Sequence, residues 1–296
     1  MPNLDSKFLN YIVSNFITNY LSFTKTKIFL AKILYRFVTI FYGKKNRIIK
    51  RNGIYFSVDL SEGIDFSLFL FGNYQKHITS NKFLNLPKDA IVFDVGANFG
   101  TISLFFAKYM TEGKIYSFEP SHYAVEKCKK NMTLNPKLAE RILLINCFVS
   151  EEIKDTSDMK AFSSWKLNGD ESQETHPIHC GTVKSSEGVG SITLDTFCIN
   201  NNITKLDFIK IDTEGYEHNV LNGAKEIISK YRPQIIIELG LYAMKEKNID
   251  FSFYSNYFNK YNYRLIHSKT GETITFENHK KYIPLQGTID ALALPM

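Results

Sequence analysis

Four acidic residues each close a short apolar run. Asp94 follows Ala90-Ile-Val-Phe, Glu119 follows Lys114-Ile-Tyr-Ser-Phe, Asp212 follows Phe208-Ile-Lys-Ile, and Glu238 follows Gln234-Ile-Ile-Ile. Ligands of open α/β sheets gather at the carboxyl ends of the strands, so acids there share one crevice. Such a crevice is a poor cradle for phosphate and a good one for a cationic or amino-bearing ligand. The run after Asp94, Val95-Gly96-Ala97-Asn98-Phe99-Gly100, leads into the apolar stretch Thr101–Lys108. Glycines at a strand-to-helix turn permit positive φ and let a ligand approach the backbone, where helix amides face it. The spacing is Gly-x-x-x-Gly and not the Gly-x-Gly-x-x-Gly of a dinucleotide fingerprint, which disfavours a nicotinamide-dependent oxidoreductase. Glu119 lies one helix length further on, at the tip of a second strand, where a carboxylate hydrogen-bonds ribose hydroxyls. A nucleoside ligand is expected.

The elements that must position these acids follow in order. Core strands are expected at Ala90–Phe93, Gly113–Glu119, Arg141–Cys147, Leu206–Asp212 and Pro233–Glu238, the first as a continuous apolar run buried on both faces. Between them the sequence predicts helices over His122–Asn135, with Ser121 as N-cap, from Thr193, over Glu214–Ile228 and over Asp250–Tyr261. Strands at Tyr263–His267, Glu272–Phe276 and Gly287–Leu294 end the chain. Upstream, Asn52-Gly53 marks a hairpin between Arg47–Lys50 and Ile54–Leu60, followed by a helix Ile64–Tyr74 ending near Gly72. Lys210 shares a parity with Phe208 and Asp212 inside an apolar strand, so it is expected to neutralise a nearby carboxylate. Residues 151–191 are polar, hold the sole tryptophan, Trp165, and have no clear period. A loop of that length is expected to cover the acceptor site. Trp165 is either a platform for a sugar ring or a packing aromatic.

At 296 residues the chain can bury one large core with an appendage. Its four cysteines are scattered singly, which points to reduced thiols and a cytoplasmic setting. His176-Pro-Ile-His179-Cys180 lacks a second ligand pair at zinc-site spacing, and no metal site is expected. The formal charge of +6 is uneven: between Ser6 and Val58 stand ten Lys or Arg and no acid. With Asp5, residues 1–58 sum to +9, leaving −3 for the rest, which argues against a nucleic-acid-binding body. Residues 1–45 read as an amphipathic helical extension, with apolar pairs from Phe8 to Leu21 and a second helix over Lys25–Tyr42, ahead of a domain over 46–296. No window is apolar enough to span a membrane, and no signal peptide stands out. Two readings stand for the extension: a cap on the core or on a second subunit, or a helix pair on an anionic membrane surface.

Asp-Val-Gly-Ala-Asn-Phe-Gly (94–100), Phe-Glu-Pro (118–120), Thr193-Leu-Asp-Thr-Phe, Ile209-Lys-Ile-Asp-Thr-Glu-Gly-Tyr-Glu and Pro233-Gln-Ile-Ile-Ile-Glu, in this order, resemble the FkbM-type S-adenosylmethionine-dependent methyltransferases. The resemblance runs from about Arg47 to the C-terminus. It implies a class I methyltransferase fold, that is, a Rossmann-like, doubly wound, mostly parallel sheet with an antiparallel last strand. It also implies S-adenosyl-L-methionine as cofactor and methyl transfer to a hydroxyl of a sugar, glycan or related metabolite; RNA is an alternative acceptor, because Lys-x-Asp (210–212) and a later Glu resemble a cap-type site. On that basis Asp94 and the turn at Gly96, Asn98 and Gly100 hold the amino-acid end of the cofactor and Glu119 its ribose. Asn146 and Phe148 are candidates for the adenine, Phe148 being equally readable as a core aromatic. Asp212, His218 and Glu238 are the candidate general bases, Asp212 first for position and His218 second for chemistry. A metal held by Asp212, Glu214 or Glu238 is the variant mechanism, disfavoured by the charge of Lys210.

Overall fold

The computed structural model describes residues 24–43, 46–72, 75–153, 156, 159–168 and 174–296. The first expected N-terminal helix and Tyr74 lie outside the described residues. Two compact units are present, Met1–Tyr74 with Ser164–Val183, and Gln75–Ser163 with Lys184–Met296.

In the first unit, helix α1 (Thr24–Tyr42) precedes a hairpin of β1 (Arg47–Arg51) and β2 (Ile54–Val58) and helix α2 (Gly63–Phe71). Asn52 and Gly53 both take positive φ, 50° and 79°, as a tight two-residue hairpin turn requires. Gly72 ends α2 in the left-handed region, its amide donating to the Leu68 carbonyl. Tyr35 of α1 is buried and meets Phe66 edge-on. Trp165 returns to this unit, with its indole so close over Gly63 that a Cβ there would stand 2.1 Å from the ring. It is a packing aromatic here. The Lys166 ammonium is 2.8 Å from the buried Glu62 carboxylate and 3.7 Å from Asp59.

The second unit is built on one sheet. Its elements in chain order are α3 (Lys76–Thr79), β3 (Ile91–Val95), α4 (Thr101–Tyr109), β4 (Lys114–Phe118), α5 (His122–Thr133), α6 (Pro136–Ala139), β5 (Ile142–Ile145) and β6 (Phe148–Val149). After the short strand β7 (Ala161–Ser163), and past β8 (Thr182–Lys184), whose first two residues belong to the first unit, come β9 (Ser191–Ile192), α7 (Leu194–Asn200), β10 (Phe208–Ile211), α8 (Glu217–Asn222) and α9 (Lys225–Tyr231). The unit closes with β11 (Gln234–Gly240), α10 (Leu241–Glu246), α11 (Phe251–Lys260), β12 (Tyr263–His267), α12 (His279–Tyr282) and β13 (Thr288–Pro295). Among the described residues seven strands form a sheet in the order β12-β13-β11-β10-β3-β4-β5. The five strands from β11 to β5 are parallel, and β13 runs antiparallel to both β11 and β12. The chain therefore reverses direction across the sheet at β3, where open α/β sheets bind ligands. This is the Rossmann-like class I methyltransferase architecture, with its antiparallel last strand.

Two expected elements differ. The helix read over Glu214–Ile228 is a loop and two helices, because Glu217 Oε1 accepts from the amides of Thr213 and Gly215 and holds 213–215 as a turn. The second break falls at Gly223, where a Cβ would stand 2.1 Å from the Ser150 carbonyl oxygen. The strand read over Glu272–Phe276 is reduced to a single bridge between Thr273 and Ile266, since Asn278 Oδ1 takes the Thr275 amide and turns the chain into α12. Strand β11 also runs beyond Glu238, because pairing with β13 continues to Gly240 opposite Thr288.

Candidate active site

Gly96 (φ +77°) backs onto the next strand: a Cβ placed there would stand 1.8 Å from the Asp212 backbone oxygen. Gly100 (φ +81°) backs in the same way onto Cys128 Sγ, 2.5 Å from a built Cβ, and Asn98 between them is also left-handed at 50°. The amides of Gly96 and Ala97 donate to the Phe118 carbonyl, that of Gly100 to Ala97, and that of Asn98 to Glu119 Oε2 at 2.8 Å. These donors have partners inside the protein, so the two glycines serve close backbone approach rather than donation to a ligand.

Glu119 is thereby bolted to the turn. Its second oxygen accepts the Ser121 amide at 2.9 Å, and Asn146 fixes the surrounding loop by donating to the carbonyls of Glu119 and Pro120. Burial pushes the Glu119 pKa up to about 7, against the pull of the Ser121 and Asn98 amides and the Lys210 ammonium. Phe148 is buried in a small cluster with Ala161 and Val189.

Asp94 has no exposed surface. One carboxylate oxygen accepts from the Ser103 hydroxyl, itself bonded to Ser117 at 2.7 Å, and the other lies 3.4 Å from Lys210 Nζ. Lys210, 3% exposed, is the centre of this network: its ammonium also lies 3.5 Å from Asp212 and donates to the Gly96 carbonyl at 2.7 Å. Burial works against its charge, but Asp212 and Asp94 outweigh that cost and raise its pKa. The expected neutralisation is met twice, by one carboxylate inside the sheet and one at the crevice.

Strand register aligns the remaining acids. Asp212 comes one step after the pair Ile211–Ile237, level with Glu238, and Glu238 stands directly opposite Asp290 of β13. Paired residues project from the same face of a sheet, so Asp212, Glu238 and Asp290 form a row across three adjacent strands. The two outer members have cationic or donor partners: Asp212 faces Lys210 and accepts from Gln75 Nε2 at 3.3 Å, and Asp290 pairs with His77 Nε2. Glu238 has the Thr288 hydroxyl, 2.7 Å away. Burial, followed by the charges of Asp212, Glu214 and Asp290, raises the Glu238 pKa well above the carboxylate range. Residues 75–77 thus straddle the end of β11, tied to the strand on either side. His218, one residue into α8, has its ring edge-on to Phe253 of α11 at a centroid distance of 6.0 Å. Among the described residues no group of three or more His, Cys, Asp or Glu side chains is disposed to hold a metal ion.

Ser103, Ser117, His77, Thr288 and Asp290 were not singled out from the sequence. Ser117 and Asp290 carried a signal, a polar residue inside an otherwise apolar strand, of the kind that marked Lys210. Gln75 and His77 precede the core, and nothing local ties them to strands more than a hundred residues away.

An α/β sheet that reverses at a glycine turn, with acids at successive strand ends, defines the class I methyltransferase fold. The chain matches the methyltransferase FkbM domain over residues 94–265 and belongs to that family. Among curated relatives it is 25% identical over 152 residues to the 2-O-methyltransferase NoeI of Sinorhizobium fredii, covering 49% of this chain and 61% of that protein. It is 21% identical over 173 residues to Methyltransferase 1 of Beauveria bassiana, covering 52% of this chain and 66% of that one. The chain therefore spans a little under two thirds of either relative. A crystal structure of an FkbM methyltransferase from Methylobacillus flagellatus aligns at 16% identity with a TM-score of 0.45, over 76% of this chain and 52% of that one.

Proposed function

We propose that this protein transfers a methyl group from S-adenosyl-L-methionine to a hydroxyl of a sugar, a glycan or a related metabolite. The reading is carried by the juxtaposition of a ribose-type acid, Glu119, with the row Asp212–Glu238–Asp290 around one glycine turn. Membership of the FkbM family supports it, as does a relative named as a 2-O-methyltransferase. The residues present fit the cofactor. Glu119 is a buried acceptor suited to ribose hydroxyls, and the largely buried acids of the row suit a sulfonium and an ammonium. The cofactor, when bound, supplies an electrophilic methyl on sulfur.

What this chain adds is position and a proton acceptor. Displacement at a methyl needs nucleophile, carbon and sulfur in line, which the turn and the row would fix by holding donor and acceptor on one side of the sheet. An attacking hydroxyl must also lose its proton. Asp212 is already paired with the Lys210 ammonium. Among the described residues Glu238 has no such ion pair, and burial with the neighbouring acids raises its pKa, which suits it better to accept a proton. The −3 charge of residues 59–296 favours a small or glycan acceptor over RNA.

The test is a thermal-shift comparison of S-adenosylhomocysteine with NAD, followed by transfer of labelled methyl to a panel of saccharides. Stabilisation by S-adenosylhomocysteine alone and label in an ether linkage are expected. Protection by NAD, or label found only in RNA, would overturn the reading.

A further inference from the structure

Helix α1 presents two unlike faces. On an ideal helix, at about 100° per residue, Phe29, Ile33, Phe37, Ile40 and Phe41 fall within an arc of about 120°. All five are exposed large apolar residues, from 38% at Ile33 to 83% at Phe41. Tyr35 lies opposite the middle of that arc and is 3% exposed, turned onto Phe66 of α2. The helix is thus anchored to its own unit by one side and offers a continuous apolar stripe on the other. A stripe of that kind marks an interaction surface.

The charge around the stripe identifies what it fits. Arg36 and Lys32 border one edge of the arc, α1 contains no acid, and no acid interrupts the ten basic residues of the sequence between Ser6 and Val58. Apolar residues flanked by basic ones, without acids, are the composition of a helix lying in the headgroup region of an anionic bilayer. A second copy of the chain would bring an equally basic helix against this one, with no acid on either to offset the repulsion. No described helix is long and apolar enough to cross a membrane, so contact through α1 is with the surface. We propose that α1 seats the protein on an anionic membrane through Phe29, Ile33, Phe37, Ile40 and Phe41, with Lys32 and Arg36 at the lipid phosphates. The proposal does not depend on the catalytic reading.

The experiment is flotation of the full chain with phosphatidylcholine vesicles containing or lacking 30% phosphatidylserine, together with light scattering in the absence of lipid. Partition at least tenfold higher onto the anionic vesicles is expected. It should fall at least tenfold in Phe37→Glu/Phe41→Glu, and about fivefold for each charge removed in Lys32→Gln and Arg36→Gln. These side chains are surface groups, so an unchanged thermal midpoint will show that the variants are folded. Equal partition onto neutral vesicles, or none onto either, would overturn the proposal. So would a wild-type dimer that Phe37→Glu/Phe41→Glu splits into monomers, since a second copy would then cover the stripe. Binding that appears only after removal of residues 1–23 would assign the stripe to that segment instead.

Discussion

Gln75 donates its side-chain amide to Asp212 at 3.3 Å, joining the start of the second unit to the end of its fourth parallel strand in chain order. Gln75 holds a left-handed backbone, φ 47°, to do so. A hydrogen bond to a charged group is worth about 1.5–3 kcal/mol. Gln75→Leu is therefore expected to lower kcat/KM of methyl transfer by about tenfold. Because the site is partly solvated, the urea midpoint should change little. A variant that loses stability and activity in proportion would show the contact to be structural only.

Lys210→Met should be costly in a different way. It would leave Asp94 fully buried beside a methyl group, and breaking a buried pair costs about 3–5 kcal/mol. Adding Asp94→Asn removes the stranded charge and is expected to restore a large part of the loss. Urea denaturation of the two single variants and the double variant gives the coupling directly.

The pKa of Glu119 makes stability depend on pH. Its carboxyl titrates near 7 in the folded chain and at the ordinary 4.5 when unfolded, so the native state binds more protons across that interval. Stability contributed at low pH is lost as pH rises from 4.5 to 7, by about 3 kcal/mol at most, from 1.36 kcal/mol per unit. Glu119→Gln should flatten this slope and be relatively more stable than wild type at pH 8. A slope unchanged in the variant would assign it to other groups.

Glu238→Gln is expected to lower kcat by about 10²–10⁴, the range of a lost general base. The wild-type rate should rise with pH as the Glu238 proton is lost, and the variant should show no such limb. Production of S-adenosylhomocysteine with any accepted saccharide gives the profile. A variant that keeps the limb would move the base to another group.

Gly96→Ala is expected to prevent folding. The added carbon would stand 1.8 Å from the Asp212 backbone oxygen at a residue held at positive φ, which no rotamer change can relieve. Circular dichroism of Gly96→Ala beside Gly188→Ala, where a Cβ meets nothing within 4 Å, separates the close contact from the cost of φ alone.

Much of this arrangement was legible in the sequence because the parallel strands are continuous apolar runs, each followed by its acid. Glu119 and Asp212 directly follow their strands for that reason, while Asp94 lies inside β3 and Glu238 inside β11. The parity of Lys210 also announced a buried partner, although not that it would have two. What local pattern could not show was use. Nothing in the local pattern announces that Asp94 is fully buried and bonded to Ser103. The break at Gly223 depends on a carbonyl some seventy residues earlier. The row through Asp290 needs the register of β13, and the ties of Gln75 and His77 are wholly tertiary.

The insertion of β13 between β11 and β12 bears on how the protein matures. Both neighbours leave the ribosome first, so a nascent chain carries a slot in its sheet until the residues around Asp290 emerge. Until that slot is filled, Glu238 lacks the Thr288 hydroxyl and His77 lacks its carboxylate. The crevice is thus completed only after β12 has emerged, and a chain that stopped short of β13 would have the glycine turn while Glu238 still lacked its Thr288 partner.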